Sequence, residues 1–380
     1  MTSRVNQDIQ ALRGIAILIV MLQHFRGRLP TSYDLNRVFD YFAFWGGVDL
    51  FFVISGYVIC TSLMVNTGVG SGFRLTSVEF LGFLKRRFVR LAPASWFWVA
   101  ASAVLLAVAP EMATADWPAS LLGHLSALTA TANFYWPHCI NNDLVLKTCT
   151  HPDVTSVYWS LSLEEQFYLA LALSLLVLPL RRLLPLMLAA AAVFTVAAVL
   201  FADMRPFSLA WILRPQGLIL GILLAVLANR GAIDIVGSVP GSVRSALVLL
   251  GSLSICFVAA AIPPVYSIPA IACISTAIVT LAIPDGSISR GLGRVLVWIG
   301  DRSYSIYLCH ILVYHLIRKA IEGAVGREPF ETASNFETAV WLAVAYVAAI
   351  CVGHFSFGYV ERPWSVLRRL KGQPAAVEKQ

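Results

Sequence analysis

The chain has 380 residues, of which 58% are hydrophobic and only 13% charged, and its mean hydropathy is +0.75. These values exclude an ordinary soluble domain and define a polytopic membrane protein. The formal charge of +7 comes from 28 Lys and Arg against 21 Asp and Glu; flanking charge at membrane spans accounts for it, so no nucleic-acid partner is implied.

Apolar runs long enough to cross a bilayer recur at approximately 9–28, 44–65, 91–110, 157–180, 183–203, 208–229, 244–262, 265–283, 302–320 and 336–358. The expected fold is therefore all-α, with about ten transmembrane helices in one membrane domain, residues 1–366, and a short cytoplasmic tail, 367–380. Cytoplasmic flanks retain positive charge, and an inside N-terminus gathers Arg4, Lys85, Arg86, Arg87, Arg90, Arg181, Arg182, Arg302 and Arg362 on one side. Both termini are then expected in the cytoplasm. The first apolar stretch runs on without a short h-region and cleavage site, so no cleavable signal peptide is expected.

In the first span Arg13 and His24 are 11 residues apart, three turns plus about 20°, and so share one helical face. At about 1.5 Å per residue they stand about 16 Å apart along the axis, a cation at the membrane edge and an imidazole deep inside. Ionisable groups at that depth usually face a protein interior or a watery path where they act. A snorkelling Arg and a hydrogen-bonded interhelical His fit the same spacing. The second span opens Trp45-Gly46-Gly47-Val48-Asp49, placing the Asp49 carboxylate at a depth similar to that of His24. Asp49 is expected to meet His24 and orient it as a general base, although the glycines equally suit a purely structural helix contact.

Before the third span, Arg87 and Arg90 share a face suited to clamping phosphates, and positive-inside topology places basic residues there as well. Residues 117–136, with Pro118, His124 and Asn133, are too polar for a full crossing and are expected to be re-entrant or interfacial. Cys139 and Cys149 lie in the following outer loop, where a disulfide would pin the loop over the site; two free thiols are the alternative. Cys60, Cys256, Cys273, Cys309 and Cys351 fall in spans as packing residues.

The fourth span begins Trp159-Ser160-Leu161-Ser162-Leu163-Glu164-Glu165, and one of its acids is expected to pair with Arg214 of the sixth. In the ninth, Ser303-Tyr304-Ser305-Ile306-Tyr307-Leu308-Cys309-His310 places His310 where it would line a donor path or bridge helices. Walker, zinc-protease and dinucleotide signatures are missing, which argues against nucleotide-driven transport, zinc proteolysis and hydride transfer.

Taken together, these segments resemble the membrane-bound acyltransferase 3 family over nearly the whole chain. The resemblance is carried by Ile9 to Ala16 with His24, Gly47 to Gly56, Arg87-x-x-Arg90, Trp159-Ser160-Leu161-x-x-Glu164-Glu165-x-Phe167-Tyr168, Ser303 to His310 and Glu361-Arg362-Pro363, in the family's order. Two positions depart from it: Gly217 stands where many relatives carry an acid after Arg214, which weakens a role for Arg214, and Cys309 stands where an aromatic is common.

The resemblance implies transfer of an acyl group, most often acetyl from cytoplasmic acetyl-CoA or another acyl-CoA, to a hydroxyl of an extracytoplasmic carbohydrate or glycolipid. It implies a catalytic group of His24, Asp49 and Glu164, and an acyl-CoA side formed by Arg13, Arg87, Arg90, Tyr304 and His310. No metal and no permanently bound cofactor are implied. The setting is the cell membrane, the inner one in a Gram-negative cell, among membrane lipids. Only about twenty residues follow the last motif, so the transfer is expected to finish within the membrane domain. A transporter or flippase using the same intramembrane charges is the alternative of a different class.

Overall fold

The computed structural model describes residues 6–67, 72–108, 117–141, 154–201, 209–325 and 333–363. Among them the chain is all-α: α1 (Gln7–Phe25), α2 (Tyr33–Tyr41), α3 (Gly47–Thr67), α4 (Ser77–Val108), α5 (Trp117–Leu128), α6 (Ala132–Asn141), α7 (Tyr158–Val177), α8 (Leu180–Leu200), α9 (Leu209–Leu213), α10 (Gln216–Asn229), α11 (Gly241–Ala261), α12 (Pro264–Ala282), α13 (Gly293–Asp301), α14 (Ser303–Val325) and α15 (Asn335–Ser356). The only β-type pairing among the described residues is an isolated bridge between Ser32 and Ala333. Among the described residues eight helical segments are long and apolar enough to cross a membrane, and the chain is a multi-pass membrane protein. The shorter apolar α10 and the polar-faced α14 occupy the remaining two predicted spans. The tail beyond residue 363 lies outside the described residues.

The helix starts follow local chemistry. Asn6 caps α1 by accepting from the Ile9 N–H at 2.9 Å, and Ser334 and Glu337 form a reciprocal capping box on α15. At the start of α1 the Asp8 carboxylate, fully buried, accepts from the Ser287 N–H and hydroxyl and from the N–H groups of Ile288 and Ser289. That fixes the 285–289 turn against α1 and leaves no carboxylate oxygen of Asp8 unpaired.

Close helix approach sets the centre of the bundle. Gly56 of α3 and Gly221 of α10 face each other, and a Cβ on either would collide with the backbone carbonyl of the other helix, at Leu218 or Val53. This contact brings Asp49, near the start of α3, beside the residues just before α10.

The segment expected to be re-entrant forms two short helices, α5 and α6, joined by a turn in which Ala130 has a φ of 53°. Several of its polar side chains are paired within the protein, while Ser120 Oγ and Trp136 Nε1 are buried without a partner among the described residues. His124 bonds the Ser102 hydroxyl at 2.9 Å and the Ser120 carbonyl at 2.7 Å; Asn133 donates to Gln166 Oε1 at 3.0 Å, and Gln166 donates back at 2.9 Å. Cys139, on α6, is buried and disulfide-bonded, while Cys149 lies outside the described residues. Cys60, Cys256 and Cys309 are buried free thiols; Cys273 and Cys351 are free on the outer face of the bundle.

Candidate functional site

Two cavities enter the bundle and abut. One, the arginine cavity, is lined by Arg13, Arg87, Arg90, Glu164, Ser303 and Tyr304 among others. The second, the tryptophan cavity, is the roomier and is lined by His24, Arg26, Arg28, Trp45, Trp136, Trp159 and Trp211 among others. Val48 and Tyr307 line both and form the septum between them. Arg13 and His24, the shared-face pair of α1, therefore reach different cavities at opposite sides of that septum.

In the arginine cavity Arg13 Nε donates to the Ser303 hydroxyl at 3.2 Å, and the Arg87 guanidinium lies 4.5 Å from the centre of the Tyr168 ring. Tyr168 in turn donates its hydroxyl to Glu164. The Tyr304 hydroxyl donates to the Leu91 carbonyl at 2.8 Å, holding α14 against α4. A π-helical turn at Phe357–Glu361 carries the Glu361 carboxylate to the Ser305 hydroxyl at 2.8 Å. The structure thus gathers Arg13, Arg87, Arg90 and Tyr304 around one void, and it places Glu164 there too, away from the His24 and Asp49 with which it was expected.

His310 is elsewhere. Its Nε2 lies 2.9 Å from His24 Nδ1, and its own Nδ1 lies 2.7 Å from the Tyr307 carbonyl oxygen. A carbonyl only accepts, so Nδ1 of a neutral His310 carries the proton and its Nε2 accepts from the Nδ1–H of His24. His24 Nε2 is then left as a lone pair beside the tryptophan cavity. The partner that orients His24 is therefore a second imidazole on α14, where the sequence reading expected Asp49, and His310 serves that imidazole instead of lining the donor path.

Asp49 pairs with Arg214, Oδ2 to Nη2 at 3.3 Å, and both side chains are buried. The expectation that an acid of α7 would meet Arg214 is corrected in the same way, since the acid paired with Arg214 is Asp49 and Glu164 accepts from Tyr168. Depth along a helix can be read from sequence, but rotation about its axis cannot; α3 turns Asp49 toward α10 because Gly217 lets the helices close. A Cβ at 217 would lie 3.1 Å from the Phe52 Cβ and 3.3 Å from the Asp49 carbonyl oxygen. The guanidinium of Arg214 is also walled by indoles, 4.0 Å from the ring centre of Trp211, 4.7 Å from Trp45 and 5.3 Å from Trp159. Sequence reasoning missed this cluster. Its signal was that each Trp sits at the mouth of a span, a position ordinarily explained by the membrane interface.

Tyr307 completes the junction. Its hydroxyl donates to the Val157 carbonyl at 3.0 Å and lies 2.5 Å from the Ser160 hydroxyl, and its ring packs edge-on against Phe51.

A multi-pass helical bundle with a cationic void, an aromatic void and an imidazole pair beside their septum suits a group carried from one side of a membrane to an acceptor on the other. Residues 6–358 match the Acyltransferase domain family, and the chain belongs to that family. It is 27% identical to the peptidoglycan O-acetyltransferase OatA of Listeria monocytogenes over 380 residues, an alignment covering 94% of this chain and 55% of that protein. The O-acetyltransferase OatA of Staphylococcus aureus is 30% identical over 165 residues, 42% of this chain and 23% of its own. Acyltransferase MdmB of Streptomyces mycarofaciens is 27% identical over 331 residues, covering 79% of this chain and 76% of its own. The chain thus spans about half the length of the Listeria relative. No solved structure is significantly similar.

Proposed function

We propose that this protein is an O-acyltransferase that moves an acyl group, acetyl from cytoplasmic acetyl-CoA in the simplest case, onto a hydroxyl of an extracytoplasmic cell-envelope glycan. The observation that carries the reading is the junction: a cationic cavity and an aromatic cavity share Val48 and Tyr307, with His24 on the aromatic side. Positive-inside flanks assign the arginine cavity to the cytoplasm. Arg13, Arg87 and Arg90 suit the phosphates of CoA, and the pantetheine arm would bring the thioester up to Tyr307.

In the tryptophan cavity His24 Nε2 takes the proton of the acceptor hydroxyl as its oxygen attacks the thioester carbonyl. His310 holds the ring through the Nδ1 hydrogen bond while positive charge develops on it. Collapse of the tetrahedral intermediate breaks the C–S bond, and the His24 imidazolium returns the proton to the leaving thiolate. Ester and free CoA are the products, and atoms and charge balance. Asp49 acts in this scheme as the counter-ion of Arg214, and Glu164 as an acid of the donor side.

The test is incorporation of radiolabelled acetyl from acetyl-CoA into envelope fractions of cells making wild type or an equally abundant His24→Ala variant. Label in a glycan fraction that vanishes with the variant is the expected result. Wild-type cells with no label in any fraction would overturn the acetyl-to-glycan reading and turn attention to transport.

A further inference from the structure

The tryptophan cavity has a wall that the transfer chemistry leaves unused. Trp45 precedes α3, Trp159 opens α7 and Trp211 lies in α9, yet the three indoles converge on one guanidinium. Arg214 is fully buried, has no hydrogen-bond acceptor for any of its nitrogens among the described residues, and is followed by Pro215; its own φ is 30°, in the left-handed region that non-glycine residues rarely adopt. A cation so placed is held by ring faces and by Asp49. It stands behind the indoles, which themselves line the void. Trp136 joins them from α6; its Nε1–H is buried without an acceptor among the described residues, although the side chain lines the cavity. Buried indole N–H groups ordinarily find a partner, so this donor points to a ligand.

We infer that Trp45, Trp159 and Trp211, inclined to one another by 63° and 36° at Trp211, form an aromatic platform against which one face of a pyranose ring of the acceptor packs, with Trp136 Nε1–H donating to one of its oxygens and Arg214 fixing the platform from behind. A pyranose has an apolar C–H face that lies on an aromatic ring and a rim of hydroxyls that needs polar partners. The cavity supplies both, indoles together with Gln23, Arg26, Arg28 and Ser156 in its lining. His24 lies in the same cavity, so a ring seated on the platform presents a hydroxyl to the base. The inference rests on the acyl-transfer reading for its purpose, but the binding it describes is measurable without any transfer.

The test uses the full chain in lipid nanodiscs and a tetrasaccharide of alternating N-acetylglucosamine and N-acetylmuramic acid as probe, followed by tryptophan fluorescence and by acceptor-dependent release of CoA from acetyl-CoA. Wild type is expected to show saturable binding. Trp211→Ala is expected to weaken it about tenfold, Trp211→Phe by no more than about threefold, and Trp136→Phe by about tenfold, with the KM for acetyl-CoA unchanged. Because Trp211→Phe and Trp136→Phe keep an aromatic ring, they remain readable if the alanine variant fails to fold. Absence of saturable binding to wild type, or equal binding by wild type, Trp211→Ala and Trp136→Phe, overturns the platform. Binding that responds to the variants without CoA release in wild type supports the platform and contradicts the transfer reaction. CoA release whose acceptor KM ignores the variants does the reverse.

Discussion

The arginine and tryptophan cavities share a septum but handle charge in opposite ways. In the first, Arg13, Arg87 and Arg90 are part of the lining itself. In the second, Arg26 and Arg28 are in the lining, but the central cation, Arg214, lies behind it, covered by three indoles and paired with Asp49. A lining cation recruits an anion, whereas a buried one shapes the wall around it. The difference teaches that an intramembrane arginine is read by what covers it rather than by its depth. It also separates donor from acceptor: phosphates suit the first cavity, and a sugar ring suits the second.

The largest effect expected from breaking this contrast is in stability. Asp49→Leu leaves the Arg214 charge buried without its partner, which costs about 3–5 kcal/mol and would lower the thermal midpoint of the detergent-solubilised protein sharply. The double variant Asp49→Leu with Arg214→Met removes both charges and is expected to recover most of that loss; a double variant as unstable as the single one would contradict the structural role given to the pair.

Next is the imidazole pair. His310→Phe keeps a ring in the packing but removes the acceptor for His24 Nδ1–H, and kcat is expected to fall about 100-fold with both KM values little changed. A rise confined to the acetyl-CoA KM would instead return His310 to the donor path.

Smaller still is the effect on the donor side. Arg90→Ala is expected to raise the KM for acetyl-CoA by about tenfold, in line with about 1.5 kcal/mol for a charged hydrogen bond, and to leave the acceptor KM alone. Added salt would narrow the gap between wild type and variant, since screening weakens the same interaction.

The smallest is Asn133→Ala in the α5–α6 hairpin, which removes the reciprocal amide pair with Gln166 and is expected to cost about 1 kcal/mol in unfolding measurements without changing either KM.

Much of this division was legible before any coordinates. The interval from Arg13 to His24 fixes their common face and their separation, and the two residues do open into different cavities. Arg87, Arg90 and Tyr304 line one void with Arg13, and Glu164, which the sequence grouped with His24 and Asp49, lines that void as well. The polar 117–136 stretch folds as two helices each too short to cross. What could not be read was azimuth. Asp49 and His310 lie at depths compatible with either partner, and only helix rotation, set by the Gly56–Gly221 and Gly217 contacts, sends Asp49 to Arg214 and leaves His24 to His310. The tryptophan wall was illegible for another reason: its members come from three separate segments, and nothing in their local sequence requires them to converge on one cation.

The central claim is that His24 is the base of an acyl transfer, and the most direct measurement is acceptor-dependent release of CoA by purified protein in nanodiscs, wild type against His24→Ala, with acetyl-CoA binding measured on the same samples. The account predicts a loss of about 10³-fold or more in turnover with acetyl-CoA affinity unchanged. Turnover within about threefold of wild type, or a loss of acetyl-CoA binding that accounts for the whole effect, would contradict it.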